Sequence, residues 1–301
     1  MRVLVTGSSG FVGGAIARHL HALGIEVFGL SRRRSCFLPP GIRQVQADLG
    51  SMHFVEEVLA GLPSCEAIVH AAAERSLAPD TESLSLTNCL GTQRMTALAR
   101  AWPSRLFLFI SGLPVIGSPR ELPVTEEHPV SPPTFYHATK LFGEHLVALN
   151  SGAGVLGASF RLTAPIGPTM PRNRLLSILI ERALANDQIV LHGTGERRQD
   201  YVDVKDVSQA VERWLVHPAG GVLNIASGRS VSNLELASAC IRCLGSSSRV
   251  TLSGKPDPDD AVVWEVSIAK AETVLGYRPG VLLEDSIREI AGAMAGGQAL
   301  S

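Results

Sequence analysis

Residues 2–14 read RVLVTGSSGFVGG, and this stretch decides the fold. Its first five residues are mostly apolar and β-branched, the composition of a buried strand, and they run into glycine. Gly7, Gly10 and Gly13 follow at the spacing G-x-x-G-x-x-G, and FVGGAIARHLHALG carries a helical apolar period that stops at Gly24. A strand, a glycine turn and a helix in that order form a cradle for phosphate. The first glycine permits a tight turn, the second a close approach of backbone to a pyrophosphate, and the third close packing of helix on strand. The helix N-terminus adds unpaired N–H groups and a positive dipole. A dinucleotide site is therefore expected on Gly7, Ser9, Gly10, Phe11, Val12 and Gly13.

Strand and helix patterns then alternate. IEVFGLSR, RQVQADL, CEAIVHAAA, RLFLFISG, GVLGASFRLT and GGVLNIAS read as strands. SMHFVEEVLAGL, SLTNCLGTQRMTALARAW, FYHATKLFGEHLVALN and NRLLSILIERALAN read as helices. This alternation predicts an α/β fold, a parallel sheet with helices on both faces. After residue 165 the pattern loosens into APIGPTMPRNR, LHGTGERRQDYVDV and SGKPDPDDAVVWEV, which read as loops rich in Pro, Gly and charge. The expected division is a dinucleotide-binding domain of residues 1–165 with about 204–226, and a smaller substrate-binding lobe of 166–203 and 227–301. The tail AGGQALS is expected to fray.

Composition narrows the function classes. The 301 residues are 45% apolar and 18% charged, which is globular. Lys and Arg number 27 against 28 Asp and Glu, so the basic excess of a nucleic-acid binder is missing. No apolar run reaches the roughly 18 residues of a membrane span, and the N-terminus turns to glycine too early for a signal peptide. The cytoplasm is the default expectation. Five scattered cysteines make no disulfide framework; Cys240 and Cys243 lie in a helical pattern with no second pair nearby, so structural thiols and no metal site are expected.

The second strand bears on the cofactor. A site for NAD places an acidic residue at its end to take the ribose hydroxyls. Here Ser31, Arg32, Arg33 and Arg34 stand instead. Arginine there suits a 2′-phosphate, so NADP(H) is preferred, with NAD(H) still possible.

Tyr136 and Lys140, in YHATK, share one face of a helix. A phenol beside an ammonium donates a proton readily. At about 4 Å and an effective dielectric near 20 the pair gains about 4 kcal/mol, enough to bring the phenol toward neutral pH. Tyr136 is therefore the expected acid/base for interconverting a carbinol and a carbonyl, and His137 reads as a packing or solvent residue.

Several signatures now stand in order: TGSSGFVG, Asp48-Leu49, HAAA, Asn88-x-x-Gly91-Thr92, Tyr136-x-x-x-Lys140, GVLNIASGRSVS and SIAKAETVLGYRP. Together they resemble the extended short-chain dehydrogenase/reductase family, of the NAD(P)-dependent epimerase/dehydratase type, over almost the whole chain. The resemblance implies a Rossmann-type doubly wound sheet with a C-terminal substrate lobe. It implies Asp48 and Leu49 against the adenine, Ala71, Ala72, Ala73 and Pro165 along the cofactor, and Lys140 on the nicotinamide ribose. It also implies a homodimer through the helices at 84–101 and 135–150.

The chain departs from the family pattern in FISGLPVIG, where Gly112 stands in place of a hydroxyl residue. Loss of such a donor costs about 2.7–4 kcal/mol, or about 10²–10³ in rate. Ser111, Thr163, a water or the substrate is expected to supply the bond, with Ser111 the catalytic candidate. Three further departures, Ala164, Gln199 and Asp257-Pro-Asp-Asp260, remove phosphate-side donors or add negative charge. Arg172, Arg174, Arg197, Arg198 and Lys255 are the cations placed to compensate. Gly112, Thr163, Arg174, Arg198 and Gln199 make the expected substrate set.

The reading that follows is an NAD(P)(H)-dependent oxidoreductase interconverting a ketone and a secondary alcohol on a small, polar, sugar-like or natural-product substrate. The alternative is a nucleotide-sugar 4-epimerase or 4-keto-sugar enzyme that retains its cofactor. A catalytically retired, cofactor-sensing protein is the third, and the intact Tyr136/Lys140 pair argues against it.

Overall fold

Alternation along the first strand sends Val3 and Val5 into the buried cluster on one face of a seven-stranded sheet, and Leu4 into the cluster on the other. The computed structural model describes residues 1–75, 81–102, 104–152 and 154–296. Most of the tail expected to fray lies outside the described residues.

The strands are β1 (Arg2–Thr6), β2 (Glu26–Ser31), β3 (Arg43–Gln46), β4 (Ala67–His70), β5 (Leu106–Gly112), β6 (Leu156–Leu162), β7 (Ala164–Ile166), β8 (Ile189–Leu191), β9 (Arg198–Asp203), β10 (Gly221–Ile225), β11 (Ser230–Ser232) and β12 (Val250–Leu252). The helices are α1 (Phe11–Ala22), α2 (Phe54–Gly61), α3 (Glu82–Leu84), α4 (Gly91–Ala101), α5 (Phe135–Asn150), α6 (Leu175–Leu184), α7 (Val204–Val216), α8 (Asn233–Leu244), α9 (Ala269–Leu275) and α10 (Leu283–Ala295). The main sheet is parallel throughout, in the order β10-β6-β5-β4-β1-β2-β3. This is the Rossmann-type doubly wound arrangement. The chain winds outward from β1 in one direction and from β4 in the other, so a crevice opens at the C-terminal ends of these two strands.

Helices α1, α7 and α9 cover one face through residues such as Ile16, Trp214 and Leu275, and α2, α4 and α5 cover the other through Phe54, Met95 and Val147. A third buried cluster joins α6, α8 and α10 through Leu176, Leu236 and Ile290. It sits beside two small sheets, β11-β9-β7 and β12-β8. The segment ERRQDYVDV, expected as loop, is therefore largely strand: β9 pairs with both β7 and β11, and Asp200 and Val202 on it are fully buried. The expected long helix at 85–102 is not uniform either. Ser85–Leu90 widens into a π-helical turn before α4, an irregularity that often marks a functional site.

Candidate functional site

The turn after β1 is built by close approach. Gly7 has φ +68°, and a Cβ on it would lie 2.8 Å from the backbone of Ala72 on the β4 side of the crevice. A Cβ on Gly13 would meet the Gly7 carbonyl oxygen at 2.4 Å. Helix α1 starts at Gly10 with no side-chain cap and no acid in its first turn, so its leading N–H groups are free for an anion. From this point a cavity of about 920 Å³ runs along the crevice. Ser9, Phe11, Val12 and Pro165 line it beside the glycines, and Leu49, Ala71, Ala72 and Ala73 line it further along. The cradle that side chains would fill, the uncapped helix and the volume of the cavity fit a dinucleotide.

At the end of β2 the lining residues are Ser31, Arg32 and Arg33. The buried Ser31 hydroxyl donates to the Arg33 carbonyl at 2.7 Å. Arg32 is paired with Glu74 at 3.1 Å, whereas Arg33 has no ion partner among the described residues. Asp48 accepts the Gly50 N–H at 2.8 Å and is the only carboxylate among the described lining residues. Arg32, Arg33, Arg75, Lys140, Arg174 and Arg197 line the same cavity, so its charge balance calls for polyanionic ligands.

Tyr136 and Lys140 both line the cavity. Thr134 caps α5 by accepting the His137 N–H and so fixes where this helix begins. The Lys140 ammonium is buried, donates to the Ile110 carbonyl at 2.8 Å, and lies 4.8 Å above the Phe109 ring and 5.9 Å from the Tyr136 ring centroid. Burial pulls its pKa down to about 7. The Tyr136 phenol is pushed up by burial, with Arg75 opposing in part. The expectation that Lys140 brings this phenol toward neutral is therefore corrected. The lysine points at a carbonyl, itself carries only a partial charge near pH 7, and desolvation of the phenolate outweighs the cation.

A polar network supports α5 from below. Asn88, buried in the π-helical turn, donates to Thr139 Oγ1 at 2.9 Å and to the Glu74 carbonyl at 3.0 Å, and accepts the Glu74 N–H at 2.8 Å. Thr139 donates in turn to the Tyr136 carbonyl. His70 lies between Thr6 Oγ1 at 2.7 Å and Thr92 Oγ1 at 3.1 Å, and full burial pulls its pKa down to about 3.

Gly112 lines the cavity, as do Ser111 and Thr163, but neither of these hydroxyls is spare. Ser111 Oγ donates to Glu144 Oε1 at 2.6 Å, and Glu144 is held by the buried Arg161 at 2.8 Å. Thr163 Oγ1 donates to Asp200 Oδ1 at 2.9 Å. The assignment of Ser111 as the replacement hydroxyl is corrected on this ground: one residue along a strand changes the face, and on its own face Ser111 meets a carboxylate.

Arg174, Arg197 and Gln199 also line the cavity, and Arg198 does not. Arg198 donates to the Ser230 carbonyl at 2.8 Å and pairs with Glu235 at 3.0 Å, bracing the capping box at the start of α8. Its place in the expected substrate set is thus corrected by alternation: Arg197, Gln199 and Tyr201 face the cleft. Arg197 is held at 3.1 Å by Asp259 and at 3.8 Å by Asp257. Arg174 caps α6 by position, with no side-chain bond, and has no ion partner among the described residues. Arg172 pairs with Glu181, and neither it nor Lys255 lines the cavity. Sequence reading missed Arg75, Thr87, Asn233 and Trp264, all in the lining. Arg75 lies just beyond HAAA and was within reach; the other three depend on tertiary placement.

A sequence profile of the NAD dependent epimerase/dehydratase family matches residues 3–226. The chain is 29% identical to the dTDP-glucose 4,6-dehydratase of Streptomyces niveus, covering 96% of this chain and 91% of that protein. It is 30% identical to the UDP-glucose 4-epimerase of Mycolicibacterium smegmatis, covering 95% and 96%. The structure of Thermus thermophilus UDP-glucose 4-epimerase in complex with NAD superposes with a TM-score of 0.86 at 26% identity, over 98% of this chain and 99% of that one.

Proposed function

This chain belongs to the NAD dependent epimerase/dehydratase family, and from that premise we propose that it inverts a carbinol centre of a nucleotide-diphosphate hexose. The free-standing ketone reductase expected from the sequence gives way to this alternative, because the relatives named above act on sugars linked to nucleotides. A bound dinucleotide supplies the hydride acceptor and donor. Its pyrophosphate is assigned to the turn Gly7–Gly13 and the start of α1, its adenine side to Asp48 and Leu49, and its ribose hydroxyls to Lys140.

Tyr136, in its phenolate form, takes the carbinol proton, and as the phenol it returns that proton when the carbonyl is reduced from the opposite face. Lys140, anchored on the Ile110 carbonyl, holds the cation beside that exchange. Arg174, Arg197 and the uncapped start of α6 are assigned to the substrate's diphosphate, in place of the phosphate-side donors missing at Ala164, Gln199 and Asp257. We also assign a homodimer through the helical stretch 85–101 and α5, which leave Leu90, Phe142 and Leu149 exposed.

The observation that carries epimerisation over dehydration is the acid–base inventory. Eliminating water beside a ketone needs one group to take a C–H proton and another to protonate the leaving hydroxyl. Beside Tyr136 the titratable lining groups are His137 and Lys140, and Gly112, Leu113 and Pro114 bring none. The one carboxylate among the described lining residues is Asp48, assigned to the adenine side, so no carboxylate stands ready to take a C–H proton. Incubation with UDP-glucose and with dTDP-glucose, followed by NMR of the products, tests the reading. A C4-inverted hexose is expected. A 4-keto-6-deoxy product would replace it with dehydration, and net consumption of NADPH with a ketone would restore the reductase.

The 2′ position of the adenine ribose is a separate assignment. At the end of β2 the lining has two arginines, Arg32 and Arg33, and no carboxylate, and the nearby Glu74 is already paired with Arg32. This supports NADP(H) ahead of NAD(H), with Arg33 the guanidinium that has no ion partner among the described residues.

A further inference from the structure

The cleft beside Tyr136 has room for a donor that the backbone at Gly112 does not provide. A Cβ on Gly112 would meet only Pro114 Cδ, at 3.6 Å. The hydroxyls of Ser111 and Thr163 are bound elsewhere. His137, half-buried in the same lining, packs its ring edge-on against the Tyr136 ring at 5.2 Å and 70°.

Thr134 tethers one nitrogen of that ring and leaves the other toward the cleft lining without a partner among the described residues. Its Oγ1 accepts the His137 backbone N–H at 3.3 Å and lies 2.7 Å from Nδ1. A hydroxyl has one proton to give. A Thr134 hydroxyl that donates to Nδ1 leaves the ring proton on Nε2, the tautomer this role requires. Nε2 has no partner among the described residues. Burial, and Arg75 after it, hold the imidazole below its ordinary pKa, so the ring is neutral at pH 7.

We propose that the His137 Nε2–H supplies the hydrogen bond to the reacting oxygen that a hydroxyl at position 112 would otherwise give. This rests on the reading of the cleft as a carbinol–carbonyl site. A neutral donor tethered by Thr134 stabilises negative charge developing on that oxygen and leaves proton transfer to Tyr136.

The experiment compares His137→Phe, His137→Gln and the double variant His137→Phe/Gly112→Ser in the full chain. UDP-glucose and dTDP-glucose serve as substrates, and spectra of ¹⁵N-histidine-labelled protein report the tautomer. Phenylalanine keeps the contact with Tyr136 and removes the donor. Its kcat should fall about 10²–10³, with dinucleotide Kd and Tm preserved. Glutamine brings an amide N–H near the position of Nε2, and serine at 112 restores the hydroxyl, so each should recover about tenfold or more of the loss. The His137 signals, identified by their absence in His137→Phe, should show Nε2 protonated. An active wild type with His137→Phe within about threefold of it, a loss that neither variant recovers, or an Nδ1–H tautomer overturns the proposal alone. A wild type that turns over neither sugar overturns the functional reading and this proposal with it.

Discussion

The Ser111 hydroxyl donates to the Glu144 carboxylate across 2.6 Å, both side chains buried, and the next residue along β5, Gly112, presents only backbone to the cleft. The two neighbours thus divide structure from chemistry. Ser111→Ala leaves a buried carboxylate short of one donor and should cost about 1.5–3 kcal/mol of stability by urea denaturation. Its effect on turnover should be far smaller than that of Tyr136→Phe. Gly112→Ser, at φ −134° and ψ 139°, meets no strain and should leave the denaturation midpoint at or above that of the wild type. A large loss of kcat in Ser111→Ala at unchanged stability would return the catalytic role to Ser111.

All three tyrosines of the chain, Tyr136, Tyr201 and Tyr277, are pushed up by burial, Tyr201 to about 12. A spectrophotometric titration of the folded protein should therefore show no tyrosinate below about pH 10, the ordinary phenol value. Tyr136→Phe should lower turnover by about 10²–10⁴ and leave dinucleotide binding intact. Tyrosinate absorbance near neutral pH in the ligand-free wild type, lost in Tyr136→Phe, would show that Lys140 dominates the phenol after all.

Arg32 is engaged with Glu74 and Arg33 has no ion partner among the described residues, so the two arginines should not be equivalent. Arg33→Ala should weaken NADPH binding by about 1.5–3 kcal/mol and leave NADH nearly unchanged. Arg32→Ala should do less, since its partner already competes for it. Fluorescence titration of both cofactors measures this, and equal wild-type affinities for NADH and NADPH would remove the preference.

His70 is held neutral in the fold down to about pH 3, against 6.5 for the free side chain. Below 6.5 the unfolded chain takes up a proton that the folded chain refuses. The stabilisation is complete above pH 6.5 and is lost as pH falls toward 3, at about 1.4 kcal/mol for each pH unit inside that window. His70→Gln should be less stable at pH 7, because the bonds to Thr6 and Thr92 are altered. Its stability should also fall less steeply between pH 6 and 4 in urea denaturation. Parallel slopes for wild type and variant would mean that His70 charges inside the fold.

The parts of this site legible in the sequence are those whose geometry is local. Gly7, Gly10 and Gly13 act within one turn, and Tyr136 and Lys140 share a face because a helix repeats every 3.6 residues. What was not legible depends on distant partners. β7, β8, β11 and β12 are three-residue strands held by their neighbours rather than by propensity, and β9 carries charged residues that only its pairing with β7 and β11 makes strand-like. Once β9 is a strand, Arg198 must turn away from the cleft and Arg197 toward it. The π-helical turn at Ser85–Leu90 adds one residue to a turn and leaves an apolar period too short to betray it. The raised phenol of Tyr136 follows from burial, which spacing alone does not reveal.

The contact between Gly13 and Gly7 has a consequence for heredity. Every missense change from a glycine codon adds a Cβ, and at Gly13 that atom would stand 2.4 Å from a carbonyl oxygen fixed in the turn after β1. No choice of replacement relieves this, because the clash precedes any difference among side chains. In a population of randomly mutated genes under selection for the enzyme, codon 13 should keep only its synonymous changes. Gly61, where an added Cβ meets nothing within 4 Å, should drift freely.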